Sequence, residues 1–262
     1  MKGGKGILGL FKKEAAKECT TTTLPKAAAF VDYEHWYISL KNNYGLQPNI
    51  KAWFEELNSK YNLVEVNFFA DFSHKSLADE IGRIRLYSNK IIDTRSPNGV
   101  QKDFTDFIIL DNMYQKALAS DDIDVFILFS GDGHFSSVTS FLKNFYHKQV
   151  VVYGVNGSFS KQLQETANVF HILPTEQDVS ESFYKLIFDY LKTSPSPTYN
   201  EAIEQAAKKS RGKATKQKIQ KAMKTLLEND VISERAIAQG KGKKKKMLFV
   251  DWEKAEKSLF YK

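Results

Sequence analysis

Three segments of this sequence carry acidic residues that could share one divalent cation. They are AAAFVDYEHW with Asp32 and Glu34, QKDFTDFIILD with Asp103, Asp106 and Asp111, and FILFSGDGHF with Asp132. Mg2+ binds oxygen ligands, keeps several of its own waters and needs only a few carboxylates, so ligands from separate segments suffice. An ion held this way supplies what phosphodiester hydrolysis requires: an activated water, charge relief on the phosphate and a stabilised leaving oxygen. The third segment is the sharpest, because an apolar run meets Ser130-Gly131-Asp132 and Gly133 then lets the backbone turn into a helix. Asp132 also has a plainer use, as the cap of the helix that follows it, and Asp32 as a turn residue at a strand end. Asp106 falls in the first turn of a helix, where its charge complements the macrodipole. Asp106 and Asp111 are five residues apart, about 500° of helix rotation or about 140° net, so they face different ways. The first-turn residue is the better aimed, and Asp111 is assigned to the layer behind the ligands.

These carboxylates need elements to position them. Short apolar runs at 27–31, 63–70, 90–93, 124–129, 149–155 and 169–173 read as strands. Helical patterns separate them, at 36–43, 50–58, 76–87, 105–119 (with Thr105 as N-cap), 135–145 and 161–167. Buried strands alternating with helices predict a Rossmann-like, doubly wound parallel α/β sheet covering residues 26–175. Ligands in such sheets sit at the carboxyl ends of the strands, where Asp32, Asp71 and Asp132 all fall. No GxGxxG and no GxxxxGK[ST] follows a strand, which argues against dinucleotide and P-loop sites.

A second unit is expected over residues 176–262. It has helices at 179–191, 199–209 and 215–229, a strand at 231–237, a lysine-rich loop at 240–246 and a return strand at 247–252. Three helices and a hairpin with a basic tip form the pattern of a small α+β winged helix, which sets its third helix and its wing against nucleic acid. The residues expected to meet nucleic acid are Lys213, Lys216, Lys218, Lys221, Lys224, Lys243, Lys244, Lys245 and Lys246.

Charge is distributed to match. Residues 201–262 hold 17 Lys/Arg against 8 Asp/Glu, and residues 1–26 hold 6 Lys against 2 Glu, so with a total of +7 the middle is net acidic. An acidic centre can hold a cation, and basic ends can follow a phosphate backbone. Cys19 is the single cysteine, which excludes an intrachain disulfide and any zinc site built on several cysteines, and suits a reducing cytoplasm. Residues 1–25 read as a flexible basic arm whose apolar run, 7–11, is too short for a signal segment or a membrane span. The expectation is a soluble cytoplasmic protein with no membrane span; a homodimer is compatible with the sequence.

The ordered set VDYEHW, TDFIILD, SGDGHF and KQVVVYGV resembles the NYN domain, a branch of the PIN-like nucleases that includes LabA-like proteins. The resemblance implies a Mg2+ or Mn2+ site of acidic residues, and RNA in preference to DNA as substrate. Family members often carry a C-terminal helix-turn-helix-like module. The family aspartates fall on Asp32, Asp106 and Asp132, as metal ligands and catalytic groups. Glu34 and His134 are further candidate ligands. Where the family usually has asparagine and a second aspartate, this chain has His35 and His134. A histidine can ligate a transition metal, and Mn2+ tolerates it better than Mg2+. The expected function is metal-dependent RNA hydrolysis, with substrate held by the basic winged helix. The alternative is a non-catalytic nucleic-acid-binding or regulatory protein with a degenerate NYN site.

Overall fold

The computed structural model describes residues 23–96, 104–194, 196–210, 214–239, 243–258 and 260. Asp103, Lys213, the arm up to residue 22 and the hairpin tip 240–242 lie outside the described residues. Strand β1 (Lys26–Asp32) leads into α1 (Tyr33–Tyr44) and α2 (Ile50–Lys60). β2 (Asn62–Ala70) is followed by single turns α3 (Lys75–Ala78) and α4 (Ile81–Ile84), then by β3 (Ile91–Asp93). α5 (Phe104–Ala119) precedes β4 (Val125–Phe129), a 3-10 turn (Gly133–Phe135) and α6 (Ser136–Asn144). β5 (Gln149–Val155), α7 (Lys161–Thr166) and β6 (Val169–Leu173) end this part.

The six strands are all parallel, in the order β3-β2-β1-β4-β5-β6. The chain winds one way from β1 and the other way from β4, so the switch point lies between these two strands. Both faces of the sheet are covered, which is why its central strands are unbroken apolar runs. Ala27, Ala29, Val31, Ile127 and Phe129 pack on one face against Trp36, Trp53 and Leu57 of α1 and α2. Ala28, Phe30, Phe126 and Leu128 pack on the other face against Ile109 and Met113 of α5, and against Val138 and Leu142 of α6. The Trp36 ring stacks on Phe129 with centroids 4.0 Å apart, tying α1 to β4 beneath the switch point.

Two expectations in this part are corrected. The helix expected at 76–87 is two separate turns. Glu80, 4% exposed, lies between them. Its carboxylate accepts from Tyr33 Oη and Arg83 Nη1, both at 2.5 Å, while Arg83 Nη2 donates to the Pro48 carbonyl at 2.8 Å. A helix that draws its own carboxylate inward to meet another helix gives up its continuous amphipathic face. Thr105 is not the cap of α5; it lies inside the helix, and its hydroxyl pairs with that of Thr94 at 2.7 Å.

The remainder has its own core. α8 (Glu176–Thr193), α9 (Tyr199–Lys209) and α10 (Lys216–Glu228) are followed by the antiparallel hairpin β7 (Ile232–Gln239) and β8 (Lys243–Val250), then by α11 (Trp252–Lys257). Thr175 and Thr198 close capping boxes on α8 and α9, and Thr215 caps α10. Ile187, Phe188, Ile203, Ile219, Met223, Leu226 and Leu248 pack together. Here too the structure corrects the sequence reading. The lysine run expected in a loop lies in β8, where Lys244, Lys245 and Lys246 pair with Ala238, Ile237 and Ala236. Backbone pairing with small and β-branched partners continues the ladder, and lysine stems tolerate an exposed strand. The return strand ends at Val250, because Asp251 caps α11 by accepting from the Lys254 backbone N–H at 3.0 Å. Among the described residues, no helix is long and apolar enough to cross a membrane.

Candidate metal centre

Asp32 is the last residue of β1, and the buried run before it draws it inward to 5% exposure. Its Oδ1 caps α1 by accepting from the His35 backbone N–H at 3.0 Å. Its Oδ2 accepts from Ser130 Oγ, also at 3.0 Å, across the β1–β4 junction. Burial pushes the Asp32 carboxyl up to about 7, against the pull of these two donors, and the nearby charges of Glu34 and Asp132 add to the rise.

Asp132 is three residues beyond the end of β4. Its Oδ1 accepts from the His134 backbone N–H at 2.9 Å and so caps the 3-10 turn. The backbone beneath it is packed tightly. Ser160 N–H donates to the Gly131 carbonyl at 2.8 Å, and His35 Nε2–H donates to the Ser158 carbonyl at 3.1 Å. A Cβ on Gly131 would lie 1.7 Å from the Ser158 carbonyl oxygen and 2.5 Å from His35 Nε2. Gly131→Ala is therefore expected to destabilise the protein by about 1–3 kcal/mol, the usual range for overpacking, read as a lower urea midpoint at unchanged slope. An unchanged midpoint would mean that the 156–160 loop yields without resistance.

Asp106 sits in the first turn of α5, on the same face as Ile109 and Met113, which bury against the sheet. That face brings it to the switch point. His134 joins the two aspartates there: its Nδ1 is 3.2 Å from Asp132 Oδ1 and 3.7 Å from Asp106 Oδ2. Asp106, Asp132 and His134 each offer a ligand atom within 4.8 Å of the others. Two donors on one ion with bonds of about 2.1 Å can be at most about 4.2 Å apart, so the separations of 3.2 Å and 3.7 Å suit a shared cation with little movement. The three fit a divalent ion.

The other sequence candidates are not members of this group, and Asp111 is not found in a layer behind it. Asp32 is buried beside it, bound to Ser130. Glu34 Oε2 accepts from the Asp71 backbone N–H at 3.2 Å, tying α1 to the end of β2. Asp71 itself accepts from the Ser73 N–H and hydroxyl and closes a turn there. Asp111 is exposed, and Gln115 Nε2 donates to it at 2.7 Å. His35 is held by the Ser158 carbonyl, and burial lowers its pKa against the opposing pull of Asp132 and Asp106. The roles of Ser130, Ser158 and Ser160 in bracing the centre were not anticipated. The sequence signal for them was Gly131, whose need for close approach names no partner.

A parallel sheet in this order, with carboxylates gathered at its switch point, defines a PIN-like nuclease fold. The family model of the NYN domain matches residues 26–174, more than half of the chain, and the chain belongs to that family. The fold is shared with the crystal structure of a protein of unknown function from Vibrio parahaemolyticus. That likeness has a TM-score of 0.52 and 23% identity over 59% of this chain and 96% of the other. No curated protein matches the sequence.

Proposed function

We propose that this protein is a metal-dependent ribonuclease whose ion is held by Asp106 and Asp132, with Asp32 behind them as the third acidic residue of the centre. The observation that carries the reading is the convergence of Asp106, Asp132 and His134 at the switch point of an NYN fold. Asp106 and Asp132 would hold a divalent ion, Mg2+ or Mn2+. When bound, such an ion supplies Lewis acidity and a low-pKa water. Asp32, buried behind them with its carboxyl raised by burial in the metal-free protein, would be placed to hold a proton at its carboxylate. His35 and Ser130 fix its orientation. Labelled single-stranded RNA incubated with Mn2+ or Mg2+ should be cut, with EDTA abolishing the cut and single-stranded DNA cut more slowly. Cleavage that survives EDTA would remove the proposal.

An acidic centre repels a polyanion, so delivery falls to the basic C-terminal residues. We read residues 176–262 as a winged-helix nucleic-acid binder. Lys218 and Lys221 are exposed on α10, and Lys244 and Lys246 lie on β8. Lys216, Lys224 and Lys245 pair with Glu204, Glu228 and Glu201 and are less available. Each phosphate neutralised on single-stranded RNA contributes about 0.7 to the slope of log affinity against log salt. The double variant Lys218→Ala, Lys221→Ala should therefore lose about 1.4 from that slope. A slope equal to wild type would place the RNA elsewhere.

One observation favours the second reading, a non-catalytic RNA-binding protein. The His134 ring reaches both carboxylates, and an imidazolium there would itself balance their charge. RNA binding with intact salt dependence but no cleavage under any divalent metal would select it.

A further inference from the structure

The donor set is not the all-oxygen cage that Mg2+ favours. Two of its three members are carboxylates, and the third is an imidazole presented through Nδ1. The His134 side chain is 63% exposed, so packing does not force the ring against the aspartates. Its backbone, by contrast, is fixed. The His134 N–H donates to Asp132 Oδ1, and Ser137 Oγ donates to the His134 carbonyl at 3.3 Å. The ring thus hangs from a braced turn, with one nitrogen within a ligand's reach of both carboxylates.

Mg2+ is hard, holds near-octahedral oxygen ligands and gives up its waters reluctantly, so exchanging water for an imidazole gains it little. Among first-row transition ions imidazole suits Fe2+, Ni2+ and Zn2+ best, and Mn2+, though it too favours oxygen, accepts it beside carboxylates more readily than Mg2+ does. We propose that this centre selects a first-row transition ion, with Mn2+ as its test ion, over Mg2+, and that His134 Nδ1 is the ligand that sets the choice. This rests on the reading that Asp106 and Asp132 hold a divalent ion. It goes further by giving this chain's histidine a positive role at the centre.

The test uses the full chain stripped of metal. Calorimetric titration with MnCl2 and with MgCl2 gives two Kd values each for wild type, His134→Asp, His134→Ala and Asp132→Asn. The ratio of Mg2+ to Mn2+ Kd should fall by roughly tenfold in both His134 variants, within the range that ligand-sphere changes produce. In His134→Asp the fall should come from tighter Mg2+ binding; in His134→Ala, from weaker Mn2+ binding. Electron spin-echo spectra of the Mn2+ complex should show nitrogen coupling in wild type and none in either His134 variant. An unchanged ratio and no nitrogen coupling, with binding still lost in Asp132→Asn, would overturn the role of His134 and leave the metal centre standing. If wild type bound neither ion, the metal centre and this inference would fall together.

Discussion

Asp132→Asn is expected to lower metal-dependent RNA cleavage by roughly 10²–10³-fold, about 3–4 kcal/mol of transition-state stabilisation. The change removes one formal charge and almost no volume. Asn caps a helix as well as Asp does, so its Oδ1 can keep the bond from the His134 N–H now made at 2.9 Å. The 3-10 turn and the 156–160 loop packed beneath it should then keep their places. What is lost is half of the carboxylate pair that His134 Nδ1 bridges. Turnover should fall while RNA affinity, proposed above to come from the C-terminal lysines, stays within about twofold. Kinetics alongside salt-dependent binding would separate the two. A variant that cleaves at the wild-type rate would mean that the carboxylate is only a cap.

Asp32→Asn should make the metal-free protein more stable at pH 8 and leave it nearly unchanged at pH 4. A buried carboxyl raised to about 7 costs the native state when ionised. Between the unfolded value, about 3.9, and about 7, the native state binds more protons than the unfolded chain. The stability tied to the neutral form is therefore complete below about pH 4 and is lost as pH rises toward 7. With each pH unit worth about 1.4 kcal/mol, the gap between variant and wild type at pH 8 is roughly 2–4 kcal/mol. The amide can keep both existing contacts: Oδ1 accepts from His35 N–H, and Nδ2 donates to Ser130 Oγ, since a hydroxyl both donates and accepts. Thermal midpoints from pH 4 to 8 in EDTA would show curves that diverge upward with pH. Parallel curves would contradict the burial of this charge.

Much of this fold and centre is legible in the sequence for physical reasons. Ala27 to Val31 and Val125 to Phe129 are apolar on both faces, which only a covered parallel strand allows, so the residues after them had to lie at a sheet's edge. The rotation between Asp106 and Asp111 allowed only one of them to look toward that edge, and the first-turn position of Asp106 chose it. Local pattern failed where a distant partner decides the outcome. Glu80 breaks a helix because Tyr33 and Arg83 claim its carboxylate. Thr105 gives up a cap position for Thr94. Lys244, Lys245 and Lys246 extend a strand because β7 offers them a ladder. In the sequence His134 was one of two departures from the family pattern and one candidate ligand among several. Only the fold shows that its ring lies between two aspartates.

The most direct test of the central claim is an anomalous difference map from crystals of this protein soaked in MnCl2, collected near the manganese edge. One strong peak is expected within ligand distance of Asp106, Asp132 and His134. A map with no peak there, from crystals whose RNA-cleaving activity has been verified in the same buffer, would contradict the claim.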